Sequence, residues 1–148
     1  MIDVMPTADL ANAERFERVG VAATPQLASQ LRDEFAQWLG RFFELDADRS
    51  NDLILAINEA LANCAEFAYV TAGAPGTMDL VARHDAAESS ITVAVSDRGV
   101  WRLTDTQHDN RTRGRGIPLM RALSDVTTIE TSADGTTVKM VWTNVTPR

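Results

Sequence analysis

Residues 46–70, DADRSNDLILAINEALANCAEFAYV, place Leu53, Ile57, Ala60, Leu61, Cys64 and Ala68 at helical spacing. A stripe this long predicts one extended amphipathic helix whose apolar side must be covered by another layer. Asp52, Glu59, Asn63 and Glu66 are expected on the opposite, polar side. Glu59 and Asn63 stand four apart, so a helix stacks them on one face. Solvent alone would account for two polar groups there. A carboxylate and a neutral oxygen ligand held rigidly one turn apart also suit a metal ion and a reacting hydroxyl.

The flanking segments supply the other layer. RFERVGVAAT alternates β-branched and polar residues and ends at Thr24-Pro25, an N-cap followed by a proline at the first helical position. Leu27, Leu31, Phe35 and Leu39 then repeat at helical spacing and predict a first helix. After TAGAPG, the segments TMDLVARH and SSITVAVSD read as a hairpin across DAAES, with Ile91, Val93 and Val95 on one face. A long irregular segment follows to Gly116, then a short helix IPLMRALSD with Pro118 in its first turn. VTTIETSA and TTVKMVWTN close the chain as a hairpin whose turn is assigned to Asp134-Gly135. The order β-α-α-β-β-loop-α-β-β predicts an α+β two-layer sandwich, a mostly antiparallel sheet covered on one face by helices. Residues 1–13 read as a loose leader and 14–148 as a single domain.

At 148 residues the chain is long enough for a core without metal or disulfide staples. Its net charge of −7 argues against a nucleic-acid partner, and no apolar run is long enough to span a bilayer. The N-terminus lacks a basic region followed by an apolar one, so the expected location is cytoplasmic, with no membrane association. Cys64 is the single cysteine, which fits a reducing compartment, and its spacing reads as core packing. Positive charge is nevertheless concentrated in DNRTRGRG, where Arg111, Arg113 and Arg115 surround two glycines. An acidic chain with one basic, glycine-rich loop points to a small anionic ligand.

Besides Glu59 and Asn63, two elements look directed at such a ligand. In VSDRG, Asp97 ends a buried-type strand, where it could accept from the amino group of a base, and Gly99 would let a flat ring approach the backbone. An ordinary turn would also use Asp-x-Gly. In RTRGRGIPLM, Gly114 and Gly116 precede a helix whose free N–H groups suit phosphate, and Arg113 and Arg115 add charged donors. The Walker A lysine is missing and no strand runs into this loop, so neither a P-loop nor a Rossmann motif fits.

Taken in order, these elements resemble the GHKL (Bergerat-fold, histidine kinase-like) ATPase superfamily, and within it the RsbW-like anti-sigma-factor serine/threonine kinases. The resemblance covers roughly residues 15–144. The family's Glu-x-x-x-Asn box matches EALAN, its following Ala-Tyr matches Ala68-Tyr69, and its Asp-x-Gly box matches Asp97-Arg98-Gly99. Its Gly-x-Gly before a helix matches Gly114-Arg115-Gly116, and its terminal Gly-Thr matches Gly135-Thr136-Thr137-Val138.

The resemblance implies a Bergerat-type sandwich that binds ATP and Mg²⁺. Asn63 would be the Mg²⁺ ligand and Glu59 the base that takes a proton from the attacking hydroxyl. Asp97 would read the adenine amino group, with Gly99 and Trp101 near the ring and Thr136 or Thr137 assisting through water. Residues 100–113 would be the ATP lid, with Arg113, Gly114, Arg115 and Gly116 on the phosphates. The implied activity is sequestration of a sigma factor and phosphorylation of Ser or Thr on a STAS-type antagonist, by a protein that commonly forms a homodimer. Two positions depart from the kinases: Phe67 stands where they usually carry His, and Trp101 where the Asp-x-Gly-x-Gly box has its second glycine. They open an alternative, a degenerate module that binds nucleotide or partner without phosphate transfer. A sensor histidine kinase core fits less well, because His84 falls near a strand end and His108 in the expected lid.

Overall fold

In the computed structural model, which describes residues 9–66, 76–98 and 117–148, the long helical period is realised as a helix, α2 (Ala47–Glu66). Before it come β1 (Asp9–Ala11), β2 (Arg15–Ala22), α1 (Pro25–Phe42) and β3 (Phe43–Glu44). After it come β4 (Thr77–Asp85), β5 (Ser90–Asp97), the helical residues 117–123 (α3), β6 (Val126–Ser132), β7 (Gly135–Trp142) and β8 (Thr146–Pro147).

Thr24 caps α1 as its sequence predicts: the side chain accepts from Leu27 N at 3.2 Å, and Pro25 occupies the first turn. The apolar stripes of both long helices face inward. Leu31, Phe35 and Leu39 of α1, and Leu53, Ile57, Ala60, Leu61 and Cys64 of α2, are all buried.

Opposite them lies a six-stranded sheet in the order β1-β2-β4-β5-β7-β6, with every neighbouring pair antiparallel. Its inner face alternates as a half-buried sheet must. Met78, Leu80 and Ala82 of β4, Ile91, Val93 and Val95 of β5, and Val138, Met140 and Trp142 of β7 are buried. Met120 of α3 joins the same core, and Trp142 Nε1 donates to Leu123 O at 2.8 Å, tying the sheet to the end of that helix. Burial of side chains of this size contributes on the order of 1.5–3 kcal/mol each. The fold is therefore the α+β sandwich expected of the Bergerat type, with helices on one face of an antiparallel sheet.

Local readings differ from the structure at several places, among them the short strands β3 and β8, which pair with each other. Asp9–Ala11, inside the stretch read as a leader, pair with Phe16–Arg18 as an edge strand, and Trp38 Nε1 reaches Asn12 O at 2.7 Å. The closing hairpin turns at Ala133-Asp134 rather than at Asp134-Gly135, because Ser132 pairs with Gly135. Neither Ala133 nor Asp134 has positive φ, so the turn does not need glycine as a type I′ turn does. Gly135, at φ +144°, serves a different purpose, described below.

Candidate functional site

The candidate site is built where the C-terminal part of α2 meets the C-terminal end of β5. Strand alternation places Asp97 on the inner face with Val95 and Val93, and the side chain is 5% exposed. The register pairs Asp97 with Met78 on one side and Thr136 on the other. From the helix layer, Cys64 Sγ donates to Asp97 Oδ2 at 3.5 Å. Burial first, and then the negative charge of Asp97, push the Cys64 thiol far above its ordinary range, so the sulfur keeps the proton that it donates. The core cysteine of the sequence reading is indeed buried, and it also touches the candidate base-reading carboxylate.

Asn63, the residue before Cys64, is 5% exposed rather than on the solvated side of α2. The helix is rotated so that Asn63 and Cys64 are both buried, Cys64 against the sheet at Asp97. Asn63 Nδ2 is buried and has no hydrogen-bond partner among the described residues. Such an unpaired buried donor costs about 1–3 kcal/mol, and in a native protein it marks a strained or ligand-contacting group. Glu59 sits one turn earlier, about 6 Å along the helix axis, and is half-buried.

The hairpin β6–β7 closes the other side of Asp97. A Cβ added to Gly135 would lie 2.0 Å from Asp97 O and 2.8 Å from Arg98 Cα. Only glycine permits this approach, and its φ is one that other residues rarely adopt. The Gly-Thr of the sequence motif thus lays its backbone against the Asp-x-Gly strand end. The same register separates the two threonines. Thr136 is 2% exposed and shares the inner face with Asp97. Thr137 points to the outer face, where its hydroxyl lies 3.0 Å from Ser96 Oγ, so it does not share the Asp97 side of the sheet. Beyond Asp97, Arg98 reaches back to β4, with Nη1 donating to Thr77 Oγ1 at 3.1 Å and Nη2 3.9 Å from Asp79 Oδ2.

A cleft of about 230 Å³ at the edge of this hairpin is lined by Glu130, Thr131, Ser132, Asp134 and Thr137 beside Asp97 and Gly135. Its carboxylates repel phosphate and its volume is below the range of a nucleotide-sized pocket. The inner face, with Asn63, Cys64, Asp97 and Thr136, is the better candidate for an anionic, base-containing ligand. Among the described residues no cluster of three or more His, Cys, Asp or Glu forms a metal cage.

The structure brings Asn63, Asp97 and Thr136 to one end of the sandwich, places Glu59 one turn away along α2, and sets Thr137 on the far face. Gly99, Trp101, Arg113, Gly114, Arg115 and Gly116, the expected lid at 100–113, and Phe67 lie outside the described residues. Sequence reasoning missed the polar role of Cys64. Its signal was faint: a thiol next to the candidate metal ligand, inside a run otherwise made of alanine and leucine.

Comparison with known proteins agrees with this fold. No curated protein matches the chain. Among solved structures, it is similar to the RsbU and RsbW domains of Rv1364c from Mycobacterium tuberculosis, at 22% sequence identity and a TM-score of 0.67. The match covers 90% of this chain and 33% of that one, so the chain spans about a third of the length of that protein. No helix among the described residues is long and apolar enough to cross a membrane. Residues 21–142, from the end of β2 through β7, match the model of the histidine kinase-like ATPase domain, and the chain belongs to that family.

Proposed function

We propose that this domain binds Mg²⁺-ATP at the Asn63–Asp97 end of the sandwich, and that it sequesters a sigma factor and phosphorylates Ser or Thr of a STAS-type antagonist. The observation that carries the nucleotide reading is the convergence of two buried polar groups from different layers. Asn63 has an amide nitrogen without a partner among the described residues, and one residue later Cys64 hydrogen-bonds Asp97 across the interlayer space. A fold does not bury such groups at one end of its core without a ligand or a cost. The RsbW likeness supports the regulatory part of the proposal.

In this reading, Asp97 accepts a hydrogen bond from the adenine amino group and Thr136 lies beside it. Asn63 is the residue that would hold Mg²⁺, through its amide oxygen. The ion, when bound, supplies neutralisation of the phosphate charge. Glu59, projecting from the same helix, takes the proton from the attacking hydroxyl of the antagonist. Phosphoryl transfer asks mainly for position and charge compensation, which two side chains on one rigid helix can offer.

A second reading, binding without transfer, is favoured by Phe67 and Trp101, which stand where the kinases usually have His and Gly. One experiment separates the two. The protein is incubated with γ-labelled ATP, Mg²⁺ and a STAS-type antagonist from the same organism, and label on the antagonist is counted. Label on Ser or Thr that disappears in Glu59→Ala, while ATP binding persists, supports the kinase. A folded, ATP-bound sample that transfers nothing overturns transfer and leaves binding. Failure to bind ATP at all overturns both.

A further inference from the structure

Cys64 lies in the core, 2% exposed, and its thiol is held on α2 while its partner Asp97 is held on β5. Both groups are buried, so water competes little for the contact, and a hydrogen bond in such surroundings is stronger than one at the surface. In that contact the thiol is the donor and the Asp97 carboxylate the acceptor. A carboxylate offers roughly four lone-pair sites, so accepting one S–H still allows it to meet another donor. The thiol restricts freedom: a carboxylate ends a broad, nearly two-fold torsion, and a donor on one oxygen helps to set its plane.

We infer that Cys64 is a positioning residue for nucleotide recognition, its S–H orienting the Asp97 carboxylate toward the exocyclic amino group of adenine. The inference rests on the reading of Asp97 as the base contact. Cys64 touches no ligand itself; it acts through Asp97. It fits a role that size alone does not require, because its neighbours on the same buried helix face include the small Ala56 and Ala60. Loss of the donor would remove one of the contacts that hold the buried carboxylate, while loss of volume alone would not bear on which base is preferred.

The test compares ATP with inosine triphosphate, whose 6-oxo group cannot donate to a carboxylate, each titrated with Mg²⁺ into wild type, Cys64→Ala, Cys64→Val, Cys64→Ser and Asp97→Asn. Alanine and valine both remove the donor, and valine keeps the space filled if alanine fails to fold. Wild type is expected to prefer ATP. Cys64→Ala and Cys64→Val should lose about five- to tenfold in ATP affinity, the size of one ordinary hydrogen bond, since S–H is a weak donor, with inosine triphosphate changed by less than about twofold. Cys64→Ser, which restores a donor, should return the ATP preference to near the wild-type ratio. Equal losses for both nucleotides, a ratio unchanged in the donor-less variants, or a serine variant no better than alanine would overturn the role of Cys64. A wild type without base preference, matched by Asp97→Asn, would overturn the reading of Asp97 itself and the inference with it.

Discussion

Substituting Gly135 by alanine puts the geometry of the Asp97 strand end to a quantitative test. The new Cβ would stand 2.0 Å from Asp97 O, against the 3.0 Å below which real Cβ contacts essentially do not occur, so the two backbones must part by about 1 Å. The atoms in the way are main chain, not the tip of a flexible side chain, and β5 and β7 are joined there by the pairing of Asp97 with Thr136. A non-glycine residue forced into this φ costs about 1–3 kcal/mol. Overpacking adds a similar amount. Together they predict a loss of about 2–6 kcal/mol, which for a domain of this size lowers Tm by roughly 5–20 °C. Gly40 is the matched control: it lies in the helix α1, and a Cβ added there meets nothing within 4 Å. Gly40→Ala is expected to stabilise by about 0.5–1 kcal/mol, because alanine gives up less conformational freedom in a helix. Thermal unfolding followed by circular dichroism reads both, and a Mg²⁺-ATP titration reads whether Gly135→Ala also displaces Asp97. A Gly135→Ala protein that melts with wild type and binds ATP as tightly would refute the claim that glycine is there for the close approach.

Further expectations concern single side chains. Asn63→Ala should weaken Mg²⁺-ATP binding in calorimetry while changing apo stability by less than about 1 kcal/mol, since removal of an unpaired buried donor offsets the lost packing; undiminished affinity would remove Asn63 from the site. Thr136→Val should lower nucleotide affinity, whereas Thr137→Val should leave it unchanged and cost about 1 kcal/mol through the lost Ser96 contact; the reverse pattern would refute the face assignment. The backbone N–H of Thr143, its hydroxyl and Arg49 hold the Asp125 carboxyl below the ordinary aspartate range. Its folded pKa is depressed, so its contribution to stability is present above the unfolded pKa and lost as pH falls through the folded one. Asp125→Ala should therefore melt below wild type at pH 7, and the gap should close in strongly acidic solution; a gap independent of pH would argue against this linkage.

Much of the architecture was legible along the chain, because its signals are local. The Thr24-Pro25 start of α1 and the stripe Leu53, Ile57, Leu61 repeat within one or two helical turns. The alternation of Ile91, Val93 and Val95 likewise names a strand face without knowledge of its neighbours. β1, β3 and β8 escaped, being only two or three residues long and defined by partners elsewhere, as Phe43 with Pro147. For the site, Glu59, Asn63 and Asp97 stand out as residue types in a pattern, and that pattern pointed to the family before the fold was known.

What the sequence by itself determined is the inventory: two long helices with one apolar face each, alternating strands, and polar groups at recurring motif positions. Tertiary structure decided how these groups face one another. The rotation of α2 against β5 turned Asn63 inward and set Cys64 against Asp97, a contact spanning thirty-three positions of the chain. Strand register sent Thr136 to the inner face and Thr137 to the outer, since a shift of one residue reverses every side chain. The approach of Gly135 to Asp97 came from the same pairing. Helix rotation and strand register are settled by contacts between distant residues, and no local periodicity encodes them.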